Sequence, residues 1–495
     1  MIRKLLCFTV VLCASPAFGE ARLIESDGDG PDIIRMEVTP ADEPVPAFKH
    51  RLRLWPHELL PGNAPQWYLR AYPEETRAWQ AWHEASRDDE FDAFYSSETP
   101  VSEAPWDSER YRVAISVATS LVENHVIPGS RRRNSDWGIR WDTMSGPEVY
   151  TFLLPEFQSM RALARMANVT ARKAIHEGRY DDAINALRAC YRLGVDCGAE
   201  PIVVCTLIGV AATGEANGGV TDLISAPGSP NLYWALSELP SPPVPTGEAI
   251  ITEIDNAERI YPFLEDPLSV DRTPAEWNAV WLKWAKYMDD SSLMESVDKD
   301  YSETSAAEFL PMAAGLAGYS HAKERLVDWG RSHDEVEAMA VGQVLSLYSS
   351  GVYRRVADEL KKLVLMPFPE ARRRPNIVER AFDGLTPVFG GENREIIPLA
   401  SVFLPAVEAA RTAEVRVARD VAALMVIEAL RMHAAQNDGR FPRSLEDIAC
   451  VPVPQNPATG KPFLYHLDGR TAVLDLPDWE GFPGYSRRYE ITIQD

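Results

Sequence analysis

Cysteine and histidine are scarce in this 495-residue chain, at six and nine residues. Neither falls in a ligand spacing. There is no His-Glu-x-x-His and no Cys-x-x-Cys, which excludes the commonest zinc patterns. No Walker-type phosphate loop, dinucleotide glycine pattern or Gly-x-Ser-x-Gly elbow is present. Basic residues are outnumbered, 50 Lys and Arg against 73 Asp and Glu, for a formal net charge of −23. Such a surface repels nucleic acid and anionic lipid, because both need a cationic face that displaces counterions. Long apolar runs are missing as well. The longest beyond the first residues, Pro201 to Thr213, is closed off by Glu215 and falls short of the about 20 residues of a membrane span. No integral membrane span and no nucleic-acid partner are expected.

What is present begins with an export signal. Arg3 and Lys4 form a basic start, Leu5 to Ala14 an apolar segment, and Ala17-Phe18-Gly19 a small-x-small cleavage site. Residues 1–19 therefore read as a signal peptide, and the mature chain as periplasmic or secreted. Cleavage removes two bases and no acid, which takes the net charge from −23 to −25. Residues 20–47 are rich in Pro, Gly and Asp and read as an extended or disordered leader. Asp27, Asp29 and Asp32 lack the central glycine and closing glutamate of a calcium loop.

The body reads as mainly α. Residues 48–144 are a Trp-rich region, with Trp67, Trp79, Trp82, Trp106, Trp137 and Trp141 as packing surfaces. A helix from Arg110 to Val126 is expected to bury Val113, Val117 and Leu121. Residues 145–225 carry helical hairpins. Met160, Leu163, Ala164, Ala167, Ala171 and Ala174 keep three- and four-residue spacing, Gly178 breaks the pattern, and Ala183, Ile184, Leu187 and Tyr191 resume it. Gly209, Gly214 and Gly218 in the next helix invite a second backbone to approach. A Pro-rich joint spans 226–247, and a second helical region 248–410.

Residues 411–495 read as an α+β module: a long helix from Glu414 to Gln436 and a three-stranded antiparallel sheet. Gly439 is placed to end the helix, and Ser444 to cap a short turn with Asp447. FLYHL-DG-RTAVL reads as a hairpin around Asp468-Gly469, and Tyr489 to Ile493 as a third strand. Arg416–Asp420 and Glu428–Arg431 are expected as charge pairs along the helix.

Four cysteines remain after cleavage: Cys190, Cys197, Cys205 and Cys450. With the hairpin turn centred near Cys197–Gly198, Cys190 and Cys205 are equidistant from it. They are the candidate disulfide, the alternative being buried thiols.

Three resemblances follow from these motifs. Residues 157–194 resemble a tetratricopeptide-type (TPR-like) helix hairpin, through the small residues of the first helix, Gly178, Tyr180, Ala183, Leu187 and Cys190. Asn437, Gly439, Phe441, Pro442, Leu445, Pro454, Pro457, Gly460, Pro462, Phe463 and Tyr465 resemble the globular part of type II secretion major pseudopilins. That resemblance implies the fold of the module alone, since the prepilin motif, the stalk helix and the calcium carboxylates are missing. LLPGNA, LPEFQSMRALAR, EGRYDDA, PNLYWALSELP and NPATGKPFLYHLDG resemble a family of exported planctomycete-type proteins. It brings no reaction with it.

No catalytic, cofactor-binding or metal-binding residue is nominated. His321 beside Ser320 has no orienting acid in the sequence, and the acids around His83 (Asp88, Asp89, Glu90, Asp92) read as a solvated face. The function expected is a non-catalytic exported scaffold that binds a protein partner. The alternative is a secreted all-helical enzyme that acts on glycans through a Trp- and acid-lined cleft. The oligomeric state is left open.

Overall fold

The computed structural model describes residues 23–24, 31–71, 77–95, 99–140, 143, 155–260, 272–290, 310–373, 399–479 and 484–494. The signal peptide, Asp27, Asp29 and Trp141 lie outside them. Along the chain come β1 (Leu23–Ile24), β2 (Asp32–Val38), β3 (Leu60–Asn63), α1 (Arg77–Ala85), α2 (Asp89–Tyr95), α3 (Glu109–Leu121) and β4 (Arg132–Asn134). Then follow α4 (Pro155–His176), α5 (Tyr180–Gly198), α6 (Val203–Ser225), α7 (Gly247–Ile260), α8 (Pro274–Asp290), α9 (Leu310–Asp328) and α10 (Val341–Leu365). The chain closes with α11 (Leu399–Gln436), β5 (Leu464–Asp468), β6 (Thr471–Leu476) and β7 (Arg487–Ile493). The protein is mainly α with a small α+β part.

The chain divides into two units, with boundaries at Thr246/Gly247 and Arg411/Thr412. One holds residues 247–411. The other holds the described residues of 23–139, 155–246 and 412–494. The C-terminal α+β part from Thr412 onward shares this unit with the helical hairpin.

In the smaller unit α10 is the central element. Its Tyr353 donates to the carbonyl of Ile254 on α7 at 2.6 Å, and its Gly342 amide donates to Asn278 of α8 at 2.9 Å. Trp329 lies flat on Tyr348 at 5.6 Å, with Arg355 over it at 3.7 Å. Gly351 leaves the room for that indole, since a Cβ there would come within 2.3 Å of the ring.

The larger unit is built on α4, α5 and α6. Gly178, at φ 71°, turns α4 into α5 as the sequence requires. α6 is buried almost all round. It is the one helix among the described residues long and apolar enough to cross a membrane, and it lies inside this bundle. Its contact with α5 is backbone to backbone. A Cβ on Gly209 would lie 2.3 Å from the carbonyl oxygen of Gly194. This fixes the register of the pair and overturns the expected cysteine partnership. Cys190 Sγ lies 3.3 Å from the carbonyl of Ala212, about two turns from Cys205. All four cysteines are thiols. The turn sits near residue 201, because α5 runs on to Gly198.

The sheet has five strands in the order β1-β2-β7-β6-β5. The expected antiparallel trio is β5, β6 and β7, and the hairpin closes at the Asp468–Thr471 pair with Gly469 at φ 59°. The correction is at the other end of the chain. Asp32–Val38 is a strand, parallel to β7 along its full length, and not part of a disordered leader. Ile34, Met36 and Val38 are buried while Arg35 and Glu37 are exposed. That period of two is a strand signal, which the surrounding Pro, Gly and Asp obscured.

Two further expectations change. α3 buries Tyr111, Ala114, Ile115 and Ala118, whereas Val113 is 55% exposed. Asp420 pairs with Arg487 at 3.1 Å, which docks the sheet on α11. Gly439 does take a left-handed φ of 72°, and Ser444 and Asp447 do form a capping box.

Glu428 and Arg431 are no surface pair. Both are fully buried, 2.9 Å apart. Arg431 also donates to the carbonyls of Thr39 and Ser229 at 2.9 Å each, and Glu428 accepts from the amide of Leu232 at 3.0 Å. Burial pushes the Glu428 carboxyl above its ordinary pKa, and Arg431 opposes the rise. Removing one partner strands a buried charge. Arg431→Leu should cost about 3–5 kcal/mol in urea unfolding, and the double variant with Glu428→Leu should recover part of that loss.

Candidate functional site

A cleft in the larger unit has a volume of about 320 Å³. Four elements supply its walls. β2 presents Arg35 and Glu37, the exposed side of its alternation. The end of α4 presents His176, and the end of α6 presents Asp222 and Ser225. The loop at Pro100–Ser102 closes one side.

Three polar wall residues are held by neighbours. Arg35 Nε donates to Glu490 on the neighbouring β7 at 2.8 Å. His176 stacks on Trp106, 5.4 Å centroid to centroid and 24° between planes. Asp222 is buried and ion-paired to Arg172 at 2.9 Å. Arg172 also donates to the carbonyls of Phe94 and Thr99, so it ties α4 to the end of α2 and the loop beyond. Desolvation lowers the Arg172 pKa, and the Asp222 charge opposes it.

Two more buried acids lie in the same unit. Glu215 faces Arg165 at 3.4 Å, and Arg165 lies over the Tyr95 ring at 5.0 Å. Burial raises the Glu215 pKa and Arg165 opposes the rise. Asp196 accepts from the Tyr68 hydroxyl at 2.7 Å and is ion-paired to Arg192, one turn earlier on α5, at 2.9 Å. Its backbone carbonyl takes the Trp137 indole N–H at 2.8 Å and the Ser135 hydroxyl at 3.0 Å. Desolvation pushes the Asp196 pKa from 3.8 up to about 6.

The pattern is one buried acid to one arginine, three times over. None of these pairs was nominated from the sequence. The readable signal was an ionisable residue inside an apolar helix: Glu215 and Asp222 interrupt α6. The places that were named resolve as follows. His321 meets the edge of Tyr348 at 5.7 Å while Ser320 is exposed. Among the acids near His83, Asp88 is held by Arg110 and by Tyr111 at 2.6 Å. Trp79 and Trp82 are core, and Trp67, Trp106 and Trp137 are half-buried. Among the described residues, no group of three or more His, Cys, Asp or Glu could hold a metal ion.

The arrangement suits binding through charge and hydrogen bonds. The cleft offers both signs, Arg35 and Glu37, beside a stacked His–Trp face. Its buried acid is already neutralised by an arginine. No family model, curated protein or solved structure matches the chain.

Asp196 gives the unit a pH dependence. Its folded pKa of about 6 lies above the 3.8 of an ordinary Asp. The proton is bound more tightly in the folded state, so this group's stabilisation is complete below pH 3.8 and is lost as pH rises through about 6. The two-unit gap corresponds to about 3 kcal/mol. Comparison of unfolding free energies at pH 4 to 7 for the native chain and Asp196→Asn should show this slope in the native chain alone.

Proposed function

We propose that the protein is an exported, non-catalytic helical scaffold whose cleft holds a segment of a protein partner. The observation that carries this reading is how the buried carboxyls are used. Asp222, Glu215 and Asp196 each face an arginine. Glycoside chemistry needs two carboxyls about 5–10 Å apart and flanking one bond. The cleft walls hold two acids, the exposed Glu37 and the arginine-paired Asp222. A cleft lined by both charges and the His176 imidazole fits a polar peptide segment better than a bond to be cut. Export is supported by the N-terminal pattern of residues 1–19 and by the strongly acidic chain that follows it.

The test uses the mature chain, residues 20–495, as bait in envelope and culture fractions, beside a double variant Arg35→Glu with Glu37→Arg. Both side chains are exposed, but Arg35 pairs with Glu490 across the strands, so the variant is used only after its thermal unfolding is shown to match the native chain. Truncation before Arg411 would remove α11 from a shared core, so point variants serve better. A partner retained by the native bait and lost at least tenfold by the variant supports the cleft reading. No partner with either bait, together with turnover of a polysaccharide panel, overturns it in favour of the glycan enzyme.

A further inference from the structure

The contact between α5 and α6 points to a different cysteine pair. In an antiparallel helix pair, a step toward the loop on one helix is matched by an equal step on the other. Cys190 faces Ala212, with Sγ 3.3 Å from its carbonyl oxygen. One turn nearer the loop, Gly194 faces Gly209. A Cβ on Gly194 would lie 2.7 Å from the Gly209 oxygen, and one on Gly209 would lie 3.1 Å from the Gly198 amide nitrogen. From Cys190 and Ala212, an equal step of seven residues toward the loop on each helix leads to Cys197 and Cys205. Both are fully buried. The glycine contact upstream lets the two backbones approach more closely than side chains would allow. The loop downstream, residues 199–202 between Gly198 and Val203, is too short for the helix ends to splay. Cys205 also lies near enough to Cys197 to add to the rise that burial and Asp196 impose on its thiol.

We propose that Cys197 and Cys205 form an oxidisable pair whose disulfide locks α5 to α6 beside their connecting loop. The oxidant is a disulfide donor. One thiol, as thiolate, attacks the donor's disulfide and forms a mixed disulfide. The second thiolate displaces the donor, which leaves as a dithiol carrying the two electrons and, with solvent, the two protons. The burial of both sulfurs places this exchange before the hairpin closes, or in a local opening, and shields the finished bridge from reductant. The pairing rests on the helix packing. The export reading supplies only the compartment where a donor is met.

The test is to refold the mature chain in a buffer of oxidised and reduced glutathione, unfold it in acid and alkylate it. Trypsin cannot separate the two cysteines, because no Lys or Arg lies between them, and Pro201 blocks cleavage after Glu200, whereas thermolysin cuts before Val203 or Val204. The expected result is alkylation of Cys190 and Cys450 only, a mass lower by two hydrogens, and peptides on either side of that cut joined through Cys197 and Cys205. Cys197→Ser should lower the Tm of the oxidised chain by several degrees and leave it level with the reduced native chain. Four alkylated cysteines, or a bridge that uses Cys190, would overturn the proposal. A bridge in the refolded chain that is missing from protein isolated from envelope fractions would support the pairing and count against export alone.

Discussion

Arg431 holds together three stretches of chain that are far apart in sequence. It sits on α11 with Glu428 and reaches Thr39 after β2 and the Ser229 turn after α6. Two charges without solvent are costly unless every donor and acceptor finds a partner. Here the partners are backbone groups of the segments that must converge: the strand exit, the turn and the helix. The pair therefore sets where β2 ends, and so how β2 can lie against β7. It constrains position more than it adds raw stability, because an apolar pair of the same volume would bury at lower cost.

The same economy runs through the interior of this unit. α4, α5 and α6 present Ala and Gly to one another, and Gly194 and Gly209 bring two backbones into contact. Helices this close leave little apolar side-chain volume between them. Polar side chains at the bundle's margins take up part of the task of orientation. Arg172 with Asp222, Arg165 with Glu215 and Arg192 with Asp196 each join two helices or two turns. Burial raises the Asp196 and Glu215 carboxyls and their arginines oppose the rise, so the feature that orders the bundle also sets the charge of its buried acids.

Much of the architecture was legible in short-range signals. Gly178 and Gly439 take the left-handed conformations their positions demand, and Ser444 with Asp447 forms its capping box. The hairpin around Gly469 follows from alternation on either side. These features are local, so a window of a few residues contains their cause. What was not legible depends on distant partners. β2 was read as leader because composition outweighed the alternation of Ile34, Met36 and Val38, and its partner lies at the far end of the chain. The cysteine register failed because the turn was centred near Cys197–Gly198, whereas α5 runs on to Gly198, and a helix pair turns a small shift in the loop into a wrong partner. The buried ion pairs were invisible for a related reason: a charge on a helix reads as solvent-facing until a second helix covers it.

The parallel pairing of β2 with β7 also bears on how the chain is made. Arg35 and Glu490, joined across those strands, are 455 residues apart. β2 is among the first segments synthesised, and its partner among the last. Until then an alternating strand with one apolar face has no mate. Pairings of such long range are slow to form, and unpaired strands invite aggregation. The bundle of α4 to α6 can assemble well before that, but the sheet cannot. Its closure waits on β7, and a chain that stops before β7 would leave that edge of β2 unpaired.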